Sequence, residues 1–458
     1  MWVDRRPILW LIIAGAIVHG CVLIAVHVRT GRIDGYAFAS RDSGEYYQIA
    51  RNLIEHRSFS QSEKAPLRPD TWRTPGYPLF LAGMMVVVGK SPVGFIVVQQ
   101  LLSVLNVFLL FRIVLCHMTA RRALLVAALF LFEPYHLYYS TWLMSATLFI
   151  TVLLLVWIAW QRAGESRSWM SFALLGALSG MSVLVRPVGI LIPFVVFCGI
   201  LLSTRTSRTT EPPTKSVRAP WTRPTVFAAT VLVVCGVWML RNKAVAGHFA
   251  LSDQGGVVLA YFKATEVALW RESRTADRYI ETSLDPAQAD APHTLWDEID
   301  KRLQGELSHL AEARRAELRW PNLAQGNKTS VDSFAISAAL TRIGRSMLAE
   351  SPIATAACYL TRCGAILTFP LNLVLTRPQG VEMKPVRIVL ALPYLLLCIA
   401  VVVRLIRGGL AHSGVFFPLA CTIALLLATT PQIDPRFRVP MIPLLLFIAL
   451  ASKKQAPE

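Results

Sequence analysis

The residues best suited to chemistry lie in one short run, Arg41-Asp42-Ser43-Gly44-Glu45-Tyr46-Tyr47-Gln48-Ile49-Ala50-Arg51-Asn52-Leu53, just after the first apolar stretch. A carboxylate held in place can take the proton of an attacking hydroxyl. Asp42 begins a predicted helix whose apolar face is Tyr46, Ile49, Ala50 and Leu53, three to four residues apart. Asp42 with Glu45 three later is also a capping-box arrangement, in which both side chains satisfy free backbone N–H groups. The two roles are compatible, because an N-cap position also fixes a carboxylate rigidly. Arginines follow in Arg73-Thr74-Pro75-Gly76-Tyr77-Pro78, Val185-Arg186-Pro187, Trp238-Met239-Leu240-Arg241-Asn242 and Asp434-Pro435-Arg436-Phe437-Arg438-Val439-Pro440. Arginine binds phosphate by its charge and by a planar fork of donors. Taken singly, each reads better as an anchor that snorkels to lipid headgroups. Together, beside one carboxylate, they describe a site for a lipid phosphate.

The elements that must position these residues are membrane spans. Of 458 residues, 54% are hydrophobic and 16% charged, where a soluble chain carries about 25% charged residues. The missing charge shows as uncharged runs such as Trp142–Trp160, Val188–Ser203 and Ile388–Val403, which suit lipid. The predicted spans are Ile8–Val28, Val93–Leu115, Ala123–Tyr138, Thr141–Trp160, Trp169–Val185, Val188–Ser203, Thr225–Leu240, Val386–Val403, Val415–Thr429 and Val439–Ala451. Ile8–Val28 is longer than a signal-peptide core and lacks a small-x-small cleavage site, so it reads as a retained span. The fold class expected is an all-α polytopic membrane protein of about ten spans, with juxtamembrane helices and a polar segment on its outer face.

The net charge of +18 would suit nucleic acid, but its distribution argues for topology and no nucleic-acid partner. Segment 241–385 is nearly balanced, with 17 Lys/Arg against 16 Asp/Glu, leaving 29 basic and 12 acidic residues elsewhere, mainly in short loops. With Arg5 and Arg6 cytoplasmic, Arg121/Arg122, Arg162/Arg167, the run Arg205–Arg223, Arg404/Arg407 and Lys453/Lys454 all fall inside, as the positive-inside bias requires. That places 29–90, 241–385 and 430–438 outside. Three parts follow: an N-terminal module 1–240 with its first outer loop 29–90, an outer segment 241–385, and C-terminal spans 386–458. Tyr77–Gly89 is too short to span and reads as interfacial. Ala354–Leu375, interrupted by Arg362, reads as re-entrant or interfacial on the outer side. In Thr294–Arg319, Leu295, Ile299, Leu303, Leu307 and Leu310 recur at helical spacing, which predicts a surface helix packed on the membrane domain. The 8 cysteines are scattered, with no CxxC; Cys358 and Cys363 are the only close pair, and small apolar packing residues is the better reading.

Read in order, Asp-x-x-x-Tyr-Tyr-x-x-Ala-x-x-Leu, Arg-x-Pro-Gly-Tyr-Pro-Leu, Leu-x-Arg-Pro, Trp-x-x-Arg-Asn and Arg-Phe-Arg-x-Pro resemble the GT-C fold glycosyltransferases, nearest the protein O-mannosyltransferase and lipid A aminoarabinose transferase group. The resemblance spans nearly the whole chain, with 241–385 the least matched part. It implies a polyprenyl-phosphate-linked sugar as donor, inverting transfer to a lipid, glycan or protein acceptor, and an aspartate in the first outer loop that activates the acceptor. Asp42 matches that position. Arg186, Arg436 and Arg438 would then hold the donor phosphate, with Arg73 and Arg241 as weaker candidates, and Glu45 either orients the acceptor or caps the helix. By topology the setting is a plasma or bacterial inner membrane with the site facing outward, or equally a eukaryotic endoplasmic reticulum membrane, with membrane lipids as surroundings. The sequence points to no certain cofactor and leaves metal use open: without an Asp-x-Asp pattern a bound divalent cation has little support, though one could enter with substrate.

One departure matters. Relatives often carry Ser-Glu at the outer start of the fourth span, where this chain reads Leu143-Met144-Ser145-Ala146. Glu133 lies as far before the turn at Tyr139/Ser140 as Ala146 lies after it, so in an antiparallel hairpin the two share a depth. Glu133 is expected either to supply the missing carboxylate or simply to be wetted at the interface. The rival classes are a member that binds glycolipid without turnover and a lipid or sugar transporter. Transporters place polar residues at the midplane on broken helices with repeated halves, and neither pattern is present.

Overall fold

The computed structural model describes residues 5–166, 168–207, 221–271, 290–308, 333–368, 383–408, 414–431 and 435–451, and among them every regular element is helical. The basic run 208–220, Asp434, Lys453/Lys454 and the end of the Ala354–Leu375 stretch lie outside the described residues. The described residues are those of a membrane-embedded, all-helical protein. Among the described residues four helices are long and apolar enough to cross a membrane by length and composition: Ile8–Thr30, Pro92–Leu115, Ala146–Ser166 and Thr222–Ala246. The expected apolar segments all lie on helices, but some are shorter or differently divided.

The N-terminal half runs α1 (Arg5–Thr30), α2 (Arg41–His56), α3 (Gly76–Val88), α4 (Pro92–Leu115), α5 (Ala120–Leu131), α6 (Pro134–Ser140), α7 (Ala146–Ser166), α8 (Trp169–Val185), α9 (Leu191–Ser207) and α10 (Thr222–Ala246). The expected span Ala123–Tyr138 is a correction: it breaks at Glu133-Pro134 into α5 and α6. Pro134 cannot donate its missing N–H to the preceding turn, and Glu133 starts a new helix as its N-cap. Accordingly the next span begins at Ala146, five residues later than expected. Gly176 and Gly180 let α8 and α10 approach backbone to side chain; a Cβ on Gly176 would lie 2.6 Å from the Phe227 carbonyl oxygen. The packed centre joins α4, α5, α7 and α8 to the C-terminal helices through residues such as Phe111, Phe130, Phe149, Trp157, Phe417 and Phe447. Outward, Trp10, Ile17, Ile24 and Val28 of α1 and Val86 and Val87 of α3 are exposed, an apolar surface suited to lipid.

Segment 241–385, the one expected outside, contributes α11 (Gln254–Val257), a π-helical stretch Val258–Ala264, α12 (Thr265–Arg271), α13 (Asp290–Glu306), α14 (Ser333–Ala349) and α15 (Pro352–Thr368). Of the helix expected at Thr294–Arg319, the part up to Glu306 is present as α13, with Ile299 and Leu303, and Leu307 just past its end, buried as the periodicity predicts, while Leu310 and the remainder lie outside the described residues. Its partner differs from expectation. These side chains pack on Val257, Ala260, Tyr261, Ile336, Ala339, Leu340 and Ile343, so the segment has a small core of its own. The chain closes with α16 (Met383–Gly408), α17 (Phe416–Thr429), the single turn α18 (Pro435–Arg438), a 3-10 turn at Val439–Met441 and α19 (Ile442–Leu450).

Candidate functional site

Asp42 lies in the first turn of α2, and the cap is a correction. Ser40 is the N-cap, its hydroxyl accepting from the Asp42 backbone N–H at 3.2 Å. Serine at that place satisfies the first free donor, which leaves both carboxylates of the expected capping box to other partners. Arg73 takes them. Its Nη2 lies 2.5 Å from Asp42 Oδ1 and 2.7 Å from Glu45 Oε2, and its Nε donates to Glu45 Oε2 at 2.8 Å. Arg41 reaches Glu45 Oε1 at 3.3 Å.

Arg73 is itself fixed from three sides. Asp70 Oδ2 accepts its backbone N–H at 2.8 Å. Its guanidinium lies over the Tyr46 ring, 4.9 Å from the centroid. Tyr46 meets Tyr77 edge to face, and Tyr77 Oη donates to Gln99 Oε1 at 2.5 Å. Gln99 in turn donates to the Ser140 and Trp142 carbonyls. A chain of contacts thus runs from α4 to the carboxylates, and sequence reading named none of Ser40, Asp70, Tyr77 and Gln99 as site residues. The Tyr-Tyr pair and the Arg-x-Pro-Gly-Tyr motif were the available signals.

The other arginines separate into two groups. Arg436 Nη1 lies 3.4 Å from Asp42 Oδ2. Arg186 follows α8 in extended conformation, sits 5.9 Å over both Phe149 and Phe437, and acts electrostatically on Asp42. Burial alone would raise the Asp42 pKa, but Arg73, Arg436 and Arg186 outweigh it and hold the carboxyl at about 2. The pairing conversely raises Arg73 well above its usual range against the cost of burial. Arg241 is elsewhere: it donates to the Asp70 and Phe59 carbonyls and lies over Phe59 and Trp238 at 5.2 and 4.8 Å. It clamps the loop carrying Arg73. Arg438 is fully buried, with Nη1 donating to the Ile366 and Leu367 carbonyls at 3.3 and 3.2 Å.

Glu133 does not join Asp42. Its Oε2 accepts from the His136 backbone N–H, and its Oε1 accepts from Tyr394 Oη at 2.5 Å. Tyr394 is a further residue the sequence reading missed; the signal available was a tyrosine after Pro393 inside an uncharged run. Ala146 is buried at the start of α7. Among the described residues no three His, Cys, Asp or Glu side chains group as a metal would need.

The site is therefore one exposed-edge carboxylate, Asp42, inside a ring of guanidinium groups, with a surplus of positive charge over Asp42 and Glu45. Such a site can receive an anion and a hydroxyl side by side. Residues 72–238 match the family model of dolichyl-phosphate-mannose-protein mannosyltransferase. No curated protein sequence matches the chain. Among solved structures, ArnT from Cupriavidus metallidurans bound to undecaprenyl phosphate aligns with 98% of this chain and 78% of its own at 13% identity and TM-score 0.41. The archaeal oligosaccharyltransferase AglB from Archaeoglobus fulgidus, with an inhibitory peptide and a dolichol-phosphate, covers 97% and 50% at 13% identity and TM-score 0.42. The arabinosyltransferase EmbB from Mycobacterium smegmatis covers 95% and 41% at 15% identity and TM-score 0.38.

Proposed function

We propose that the chain is a GT-C membrane glycosyltransferase, a reading supported by the family-model match over residues 72–238, and that it moves a sugar from a polyprenyl-phosphate donor to an acceptor hydroxyl on the outer face of the membrane. The observation that carries this reading is the convergence of Arg73, Arg186 and Arg436 on Asp42. Asp42 accepts the acceptor proton as the hydroxyl oxygen attacks the anomeric carbon from the face opposite the phosphate. The carbon–oxygen bond to phosphate breaks with its electron pair on the phosphate oxygen, and the sugar inverts. Lipid phosphate leaves as a stable anion, so no acid need protonate it; Arg436 and Arg186 offset its charge.

Arg73 has a different part. It is tied to Asp42, Glu45 and Tyr46, and so it aims Asp42 and leaves Arg436 and Arg186 to the donor. In the free protein Asp42 is a weak base, because those cations surround it. The donor's phosphodiester monoanion, drawn to Arg436 and Arg186, offsets part of their pull, and Asp42 becomes more basic once the donor is in place. Glu45 completes the neutralisation of Arg73 and Arg41 and keeps α2 in register.

The test is mass profiling of cell-envelope glycans in a strain lacking the protein, complemented with the wild type or with Asp42→Asn. Loss of one sugar, restored by the wild type alone, is the expected result, and the lost mass names the sugar. Equal restoration by Asp42→Asn would remove Asp42 from catalysis. A glycolipid-binding protein without turnover would leave the profile unchanged in the deleted strain.

A further inference from the structure

Arg438 is 0% exposed, yet it is a cation. A guanidinium away from water needs both hydrogen-bond acceptors and a countercharge. Two backbone carbonyls at the end of α15 supply acceptors. Two aromatic faces enclose it, Tyr135 at 4.9 Å and Tyr394 at 3.7 Å from ring centroid to guanidinium carbon. Behind Tyr394 stands Glu133, 5% exposed, accepting the phenol hydroxyl at 2.5 Å. A phenol hydrogen-bonded to a carboxylate presents a more negative ring face, and the carboxylate adds its own charge at second remove.

Arg438 closes the single turn Pro435–Arg438, and Arg436 lies two residues before it. At about 100° per residue the two side chains leave that turn in nearly opposite directions. Arg438 points into the protein; Arg436 points at Asp42. Once Arg438 is seated, the direction of Arg436 is set. We propose that Glu133 and Tyr394 are positioning residues for the donor phosphate, which seat Arg438 and through it hold Arg436 in the anion site. The assignment rests on the donor reading of Arg436 above. It gives the buried Glu133 a task other than replacing the carboxylate absent at Ala146, and makes α6 and α16 part of the donor site although neither touches Asp42.

The experiment uses the full chain purified in detergent, titrated with undecaprenyl phosphate in the absence of sugar and acceptor, with thermal unfolding as the check on folding. Arg436→Ala is expected to weaken binding about tenfold or more. Glu133→Gln, which keeps the acceptor oxygen but removes the charge, should weaken it about three- to tenfold, and so should Tyr394→Leu. Tyr394→Phe, which keeps the ring, should lose less than Tyr394→Leu. The double variant Glu133→Gln/Arg436→Ala should bind no worse than Arg436→Ala alone, because the first acts through the second. In a transfer assay of Glu133→Gln the donor KM should rise by the same factor, and kcat should fall no further than it does in Arg436→Ala, which loses the group that offsets the leaving phosphate's charge.

The inference is overturned if Glu133→Gln and Tyr394→Phe bind like the wild type, or if Glu133→Gln lowers kcat with donor KM unchanged, which would put Glu133 at the reacting atoms. Should Tyr394→Leu fail to fold, those two milder variants decide. A wild-type chain that does not bind undecaprenyl phosphate, or an Arg436→Ala variant that binds it normally, would instead bring down the donor reading itself.

Discussion

Asp42 shows how a carboxylate's use depends on what surrounds it. Its pKa of about 2 lies below the ordinary carboxylate value, so the charged form is the one the fold favours. The stability this contributes is present above the ordinary carboxylate range and is lost only as pH falls through about 2. Free-enzyme Asp42 therefore sets no activity limb in the neutral range. Arg436→Ala removes one of the cations, so the Asp42 pKa rises toward its ordinary value. The acid limb of kcat/KM should then move to higher pH by up to about one unit. Rates measured from about pH 4 to 8 should therefore show no Asp42 limb in either protein, and an acid limb inside that range would mean another group titrates there. Asp42→Asn keeps the shape and removes the base; the expected loss in kcat is about 10²- to 10⁴-fold. Arg73→Lys should also cost activity, since one ammonium cannot reproduce the fork that spans Asp42 and Glu45.

At the scale of single helices, α15 inverts the usual polarity of a surface helix. Its inward face carries Cys358, Arg362 and Ile366, while Ile353 and Leu360 are 85% and 76% exposed. That face fits lipid, as an interfacial helix requires. Inward, Arg362 Nη2 pairs with Glu266 of α12 at 2.8 Å, both side chains nearly fully buried. Burial pushes the Glu266 pKa up, against the pull of Arg362, to about 7. A carboxyl raised in the folded state contributes stability below its unfolded pKa that is lost as pH rises through about 7. Breaking the pair from one side leaves a buried charge: Arg362→Met should destabilise by ~3 kcal/mol. Glu266→Leu/Arg362→Met should recover most of that loss, because no lone charge remains. Thermal unfolding in detergent measures both, and a double variant as unstable as the single would show that the pair is needed for shape. The break at Glu133-Pro134 belongs to this scale too, because it produces α6 and with it the seat of Arg438.

Across the whole molecule, the site is held together by contacts between distant parts of the chain. The loop that carries Arg73 is clipped to the outer segment: Thr71 Oγ1 donates to Asp253 Oδ2 at 2.9 Å, Ser252 Oγ donates to the Trp72 carbonyl at 2.7 Å, and Arg241 holds Asp70 and Phe59. Lys263, on the π-helical stretch, donates to the Ala428 carbonyl at the end of α17 at 2.7 Å. Gly256 packs against Ser337 so closely that a Cβ would lie 2.0 Å from the Ser337 carbonyl oxygen, a gap that only glycine fills. Gly256→Val should separate α11 from α14 and open the segment's small core, with a loss of about 2–4 kcal/mol. Limited proteolysis reads it: faster cleavage in both the outer segment and residues 57–75 is expected, since the clips join them. Cleavage confined to the outer segment would show that the Arg73 loop stands without it.

By itself the sequence determined the membrane-embedded, all-helical class, because lipid leaves long uncharged runs no alternative to helices. It also determined the α2 face, since Tyr46, Ile49 and Ala50 follow the helical period and are buried. The motif Arg73-Thr74-Pro75-Gly76-Tyr77 drew attention to the right loop for the same local reason. What period and motif do not contain is which charges meet. Ser40 rather than Asp42 caps α2, freeing both carboxylates for Arg73, and local sequence allowed either. Arg436 and Arg438 are indistinguishable as residues; the turn that sends one to Asp42 and the other between two tyrosines separates them. Those outcomes are decided by contacts between residues as far apart as Asp42 and Arg436 or Glu133 and Tyr394. Only the packing of the helices brings such residues within the few ångströms over which hydrogen bonds and buried charges act.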